Sequence, residues 1–270
     1  FVAAHRGVSR ANIRCNTLAA FQIAVSQGAD VIELDITKSR DGEYFVFHPG
    51  MEPVFLNCGS LITEMTAKEV KTIPLRNQDG AATHYRVPTL SEAFSFLQGK
   101  TYINVDKFWT DVEQIAGQIR RAGVEKQVIV KSFGDEQSVA QVEKYAPDLM
   151  YCVMMWHKDD ISQKLQKSGL NYIGAEILFD REEDEIISDA YIQWMHDHQL
   201  LVWANSIVYN EAEVIAAGHS DDISMTQSMD LGWGWLADKQ VDFIQTDWVM
   251  ELCGYLGGEK NYINPQKWQA

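Results

Sequence analysis

Two acidic residues, Glu33 and Asp35, interrupt the apolar run "DVIELDI". Two apart on a strand, they face the same side. Like charges buried together are costly unless a counter-charge is present. A divalent cation that prefers oxygen, Mg²⁺ or Ca²⁺, would relieve the repulsion, and Asp106 at the end of "YINVD" supplies a third carboxylate. Solvated or salt-bridged acids at a strand edge are the competing reading of the same spacing. Three further groups stand at strand ends: His5 and Arg6 after "FVAA", and His48 at the end of "EYFVFH". Imidazole titrates near neutral pH and moves protons, and a planar guanidinium grips two oxygens of an oxyanion. A turn centred on Asp41 and Gly42 would set His48 directly opposite Asp35, and a bulge would shift that pairing by one residue.

Elements that could position these groups alternate along the whole chain. "NTLAAFQIAVSQG" reads as a helix stopped by Gly28, and "TLSEAFSFL" opens with a capping box of Thr89 and Glu92. Nine short apolar runs read as strands: those ending in His5, Ile36 and His48, then "TYINVD", "QVIVKSF", "LMYCVMM", "NYIGAEI", "LVWANSI" and "VDFIQTD". Alternation with helices implies a parallel sheet. Eight strands would close a (β/α)8 TIM barrel and leave one for a hairpin, with an open doubly wound sheet as the alternative. No Gly-x-Gly-x-x-Gly follows the first strand, which weakens the nucleotide-binding version of that alternative. Residues 49–87 have weak periodicity and read as an insertion into a single domain spanning 1–270. The glycine-rich "LGGEK" near the end reads as a loop.

With 270 residues, 46% of them hydrophobic, the chain can build one large core. A net charge of −15 argues against nucleic acid or an anionic membrane surface as partner, though a few local cations can still bind a small phosphate. No apolar run reaches the roughly 18 residues of a membrane-spanning helix. The chain opens at Phe1, inside the first strand, so removal of an upstream segment such as a secretion signal is expected, with a secreted or periplasmic location; a boundary set elsewhere would look the same. Four cysteines without metal-type spacing neither require nor exclude disulfides. Oligomeric state is not legible.

These blocks together resemble the glycerophosphodiester phosphodiesterases, a family of metal-dependent TIM-barrel enzymes. "HRG" followed by "NTLAAF" is similar to the family's opening signature, and "GADVIELDITKSRDGEYFVFHPG" to its second block. "VPTLSEAF", "INVDKFW", "KSF" and "VDFIQTD" match later blocks in order. The resemblance implies hydrolysis of a small glycerophosphodiester to glycerol 3-phosphate and an alcohol. It implies one divalent cation on Glu33, Asp35 and Asp106, with Asp106 where many members have Glu. His5 and His48 would be the acid–base pair, and Arg6 would hold the phosphate.

The chain departs from the family pattern at three places. Arg14 and Cys15 replace a Pro-Glu pair, Pro49 follows the second histidine where Asp is usual, and the fourth strand lacks Glu-x-Lys. The residue two after Asp106 is Phe108, and Lys107 would face away from the site on a regular strand. Lys131 is therefore the candidate to join Arg6 at the substrate, with a plain surface lysine as the competing reading. Trp203 is a further substrate-binding candidate, with barrel-core packing as its competing role. Glu176 is expected either inward toward the site or in a salt bridge, and Trp109 and Trp156 near an alcohol moiety. Two alternatives follow: a binding homologue without turnover, or a phosphodiesterase with a shifted substrate such as a phosphoinositol or a lysophospholipid.

Overall fold

A computed structural model describes residues 1–208, 210 and 212–257. Among these, nine strands form: β1 (Val2–Ala4), β2 (Val31–Lys38), β3 (Tyr44–Val46), β4 (Tyr102–Asp106), β5 (Val128–Phe133), β6 (Met150–Met155), β7 (Tyr172–Ile177), β8 (Leu201–Asn205) and β9 (Phe243–Thr246). All but β3 pair in parallel, in the order β1-β9-β8-β7-β6-β5-β4-β2, and β1 also pairs with β2. The sheet therefore closes on itself as an eight-stranded (β/α)8 barrel. The ninth strand, β3, runs antiparallel to the end of β2 as a hairpin.

Local sequence fixes the helix starts. Thr17 accepts a hydrogen bond from the Ala20 amide and begins helix Leu18–Ser26. Thr89 and Glu92 form the expected reciprocal capping box on helix Leu90–Leu97. Gly123, at φ +69°, ends helix Val112–Ala122 with the left-handed residue that a helix terminus favours. The apolar faces of such helices pack on the outward faces of the strands, and this shell is the main core. A smaller cluster of Ala3, Val31, Ile129, Cys152, Trp203 and Phe243 plugs the barrel from within. The last helix among the described residues, Val249–Gly257, takes in the first residues of "LGGEK", where a loop was expected; the remainder of that stretch lies outside the described residues.

Residues 49–87 build a lobe with its own core of Leu56, Ile62, Met65, Val70, Leu75 and Val87 against Phe45 and Phe47 of the hairpin. Arg14 docks this lobe. Its guanidinium donates to the carbonyls of Arg76 (2.6 Å) and Asn77 (2.7 Å) and lies 4.6 Å from the Phe55 ring centre. The departure at Arg14 thus has a structural role.

The hairpin register differs from expectation by one residue. Ile36 pairs with Val46 and Lys38 with Tyr44, so Asp35 lies opposite Phe47, whose amide donates to the Asp35 carbonyl at 3.0 Å. The Ser39–Glu43 pair closes a three-residue loop where a two-residue turn was expected. His48 lies just beyond β3, yet its Nε2 still comes within 4.0 Å of Asp35 Oδ1.

Candidate active site

The carboxyl ends of the strands open onto a cavity of about 270 Å³. Its lining includes His5, Arg6, Glu33, His48, Asp106, Lys107 and Lys131. β1 ends at Ala4, and the chain turns at once through two left-handed residues, Arg6 (φ +57°) and Gly7 (φ +75°). Any side chain at position 7 would meet the Ala20 backbone at 2.8 Å and the Phe21 ring at 2.9 Å, so the third residue of "HRG" has to be glycine. This turn aims the Arg6 amide at Glu33 Oε2 (2.9 Å) and its guanidinium at Asp35 Oδ2 (2.7 Å). Left-handed Asn16 braces the same carboxylate: its Nδ2 donates to Asp35 Oδ2 at 2.9 Å, and its Oδ1 accepts from the Asp35 amide at 3.3 Å.

Glu33, Asp35 and Asp106 offer oxygens that all lie within 4.8 Å of one another. That is about the span between opposite ligands of an ion with Ca²⁺-type distances of ~2.4 Å. Burial, and next the Asp35 charge, push the Glu33 carboxyl up to about 8. Burial likewise raises Asp106, against the pull of Lys107. Asp35 is held below the usual range: burial opposes ionisation, but Arg6 and Lys107 outweigh it. Asp35 Oδ1 is buried and accepts no hydrogen bond among the described residues. Three hard oxygen donors brought together, one of them with an open lone pair, suit a hard divalent cation.

Lys107 overturns the expectation that it faces away. The strand does not stay regular: Lys107 is left-handed (φ +61°) and swings its ammonium to 2.9 Å from Asp106 Oδ2 and 3.5 Å from Asp35 Oδ1. Phe108 goes into the core instead. Lys107, and not Lys131, is the second cation beside the carboxylates. Lys131 does line the cavity, but deeper, with its ammonium 2.7 Å from Glu176 Oε2 and 3.6 Å from the Trp203 ring centre. Glu176 is thus both inward-facing and salt-bridged. Of the two roles open to Trp203, its position matches core packing: it is 1% exposed, stacks on Phe243 at 4.7 Å and is not among the residues that line the cavity. Its place on β8 is one inward step below Asn205, which does line it. Trp109 and Trp156 stand on the cavity wall.

The two histidines sit in opposite fields. His48 Nδ1 lies 2.9 Å from the Pro49 carbonyl, which can only accept, so Nδ1 carries the proton and Nε2 presents a lone pair when the ring is neutral. Burial, with Arg6 and Lys107 nearby, lowers its pKa despite Asp35. His5 Nδ1 donates to Asp247 Oδ1 at 3.0 Å. Burial works against the charged ring there, but Asp247 and Glu33 outweigh it and raise its pKa. Asp247 carried no assigned role in the sequence, because its partner is 242 residues away. Its amide donates to Asp221, a buried carboxylate that also accepts from Ser206, Thr246 and Trp233. Asp247→Asn should move the titration of His5 toward lower pH, since the carboxylate charge that favours the protonated ring disappears even though Asn Oδ1 can still accept from Nδ1; an NMR titration of the His5 ring checks this. Cys15, beside Arg6, is pushed up to about 12 by burial, so it is a neutral thiol.

A family model described as the glycerophosphoryl diester phosphodiesterase family matches residues 5–176, from His5 through Glu176. The chain belongs to that family. A second model, a domain of unknown function, matches residues 150–256. A glycerophosphodiester phosphodiesterase of Caldanaerobacter subterraneus subsp. tengcongensis is 32% identical over 156 residues, which is 55% of this chain and 63% of that protein. One from Bacillus altitudinis is 29% identical over 56% of this chain and 64% of its own length. The chain thus spans less than two thirds of the length of these curated family members. Among solved structures, a glycerophosphoryl diester phosphodiesterase from Parabacteroides distasonis shares the fold with a TM-score of 0.78, at 21% identity, over 95% of this chain and 86% of that one. An Oleispira antarctica phosphodiesterase, solved in complex with the product sn-glycerol-3-phosphate, has a TM-score of 0.64 at 17% identity, over 94% of this chain and 96% of that one.

Proposed function

We propose that this chain hydrolyses a glycerophosphodiester to glycerol 3-phosphate and an alcohol, using His5 and His48 as the acid–base pair. The observation that carries the reading is their placement: both rings line one cavity with Arg6, Lys107, Glu33 and Asp106, with Asp35 buried directly behind them, and their pKa values are displaced in opposite directions. Family membership and the product-bound Oleispira phosphodiesterase support it.

Arg6 and Lys107 supply positive charge where a phosphodiester anion would sit, and Arg6 is pre-aimed by its contacts to Glu33 and Asp35. Fixed cations in a half-enclosed cavity need no reorganisation as negative charge grows on the phosphoryl oxygens. His48, neutral with a lone pair on Nε2, is the base that takes a proton from the attacking water, whose oxygen bonds to phosphorus as the bond to the alcohol oxygen breaks. His5, its ring proton favoured by Asp247, gives a proton to the leaving alkoxide. Glu33, Asp35 and Asp106 would hold a Mg²⁺ or Ca²⁺ ion, whose charge would stabilise the developing oxyanion.

The test is release of glycerol 3-phosphate from glycerophosphodiesters with Mg²⁺ or Ca²⁺ added. Turnover is expected, abolished by EDTA and restored by the metal. A folded protein that binds the diester but releases no product would be the binding homologue instead.

A further inference from the structure

Asp221 is a buried carboxylate that the phosphoryl chemistry above does not use. It opens the short helix Asp221–Thr226 between β8 and β9 and is 2% exposed. Among the described residues its partners are hydrogen-bond donors, not cations. Burial pushes its carboxyl up to about 6 in spite of them. A buried charge without a counter-charge costs stability, and an apolar side chain of similar size would avoid that cost. What an apolar side chain could not do is accept from the groups at the end of β9.

Asp221 Oδ1 accepts from Ser206 Oγ (2.6 Å), Trp233 Nε1 (2.7 Å) and Thr246 Oγ1 (2.7 Å), and Oδ2 accepts from the Asp247 amide (2.8 Å). Thr246 Oγ1 in turn accepts from the Trp248 amide at 2.9 Å. One carboxylate thus holds residue 247 at its own amide and, through Thr246, at the next. The carboxylate is itself tied to the barrel: the Asp221 amide donates to the Ser206 carbonyl at 2.6 Å, and the Ser206 amide to the Gln245 carbonyl at 2.8 Å. The turn held in this way grips His5 twice. The His5 amide donates to the Thr246 carbonyl at 3.0 Å, and its ring Nδ1 donates to Asp247 Oδ1 at 3.0 Å. The Asp247 side chain is 53% exposed, so packing does not hold it, and an exposed pair gives up little by exchanging its partner for water. Its backbone, fixed from below by Asp221, is what keeps the carboxylate at the ring.

We propose that Asp221 is the positioning residue of the general acid: it fixes the turn that carries Asp247, so that His5 is held with its proton on Nδ1 against Asp247 and Nε2 is left as the nitrogen that serves the leaving group. The proposal rests on the phosphodiesterase reading for the role of His5. Asp221 touches neither the substrate nor the ring; it acts through Asp247 alone.

The test reads the His5 ring and turnover on the whole protein. NMR of the ring nitrogens should report neutral His5 held as the Nδ1–H tautomer in the wild type, and Asp247→Ala should release it to a mixture. Asp221→Asn should do the same. Three donors hold the amide oxygen in the place of Oδ1, so the new NH2 faces the Asp247 amide, donor against donor. kcat should fall roughly 10–100-fold with KM unchanged, the usual cost of losing a group that orients a functional histidine. Added to Asp247→Ala, the same substitution should cost nothing further, because the two act through one bond. Ser206→Ala removes a hydrogen bond to the same carboxylate without touching the turn, so it should lower stability and leave tautomer and kcat as in the wild type. If Asp221→Asn does not fold, Thr246→Val decides: it cuts the link from Asp221 to the Trp248 amide and should loosen the tautomer and lower kcat together. A folded variant that keeps the wild-type tautomer and kcat, or whose loss multiplies with that of Asp247→Ala, would overturn the proposal. A wild type that cleaves no glycerophosphodiester overturns the phosphodiesterase reading instead, and the tautomer still decides whether Asp221 places Asp247.

Discussion

His5→Ala and His48→Ala should each lower kcat by roughly 10²–10⁴-fold, the usual cost of losing a positioned proton-transfer group. Substrate affinity should largely survive, because Arg6 and Lys107 remain. The double variant should be less impaired than the product of the two single effects, since a base without its acid already stalls the same step. The pH profile follows from the opposite displacements. His48 lies below its ordinary value near 6.5, so it becomes a free base as pH rises through the mildly acidic range. His5 lies above that value, so it keeps its proton until pH rises further. Activity should rise on the acid side with His48, peak between the two, and fall on the alkaline side with His5. Because the acid outranks the base, most molecules carry the right protonation pattern at the peak. A variant of either histidine that stays folded and keeps wild-type turnover would remove that residue from the mechanism.

Asp35→Ala carries the second large effect, and it acts on stability as well as activity. Asp35 is 1% exposed and faces Arg6, Lys107, Asn16 and His48 at once. Its loss leaves two cations close together with no carboxylate between them. Breaking a buried ion pair from one side costs about 3–5 kcal/mol, which urea denaturation would read as a shifted midpoint. Two opposing terms are smaller. Relief of repulsion lets Glu33 ionise, and Asp106 still holds Lys107. Metal-supported turnover should disappear as well, since one of the three oxygen donors is gone. Calorimetry with Mg²⁺ or Ca²⁺ separates the two losses: a folded variant that still binds the ion as wild type does would exclude Asp35 from the metal site.

Much of this was legible in the chain itself. Thr89 with Glu92, and Gly123 after an amphipathic run, mark helix ends because capping is a local bond between near neighbours. Glu33 and Asp35 share a face because strand side chains alternate, and that needs no knowledge of the partner strand. Nine apolar runs, eight of them in a barrel, follow from the same periodicity. The candidate residues His5, Arg6, His48 and Asp106 stand out for a related reason: each is a polar group at the end of an apolar run.

What the tertiary structure decided lies where backbone geometry or distant strands take over. Lys107 enters the site only because its backbone turns left-handed, and nothing in "VDKF" announces a conformation that costs a non-glycine residue energy. The hairpin slipped by one residue because a three-residue loop replaced a tight turn, yet His48 reached Asp35 from beyond the strand. Trp203 went to the core while Asn205 kept the cavity, a choice of depth along one inward face that period-two alternation cannot make. Asp247 became the partner of His5, and Lys131 the partner of Glu176, because barrel closure brings together residues hundreds or tens of positions apart. Spacing fixes which side of a strand a residue faces; only closure of the sheet fixes whom it meets there.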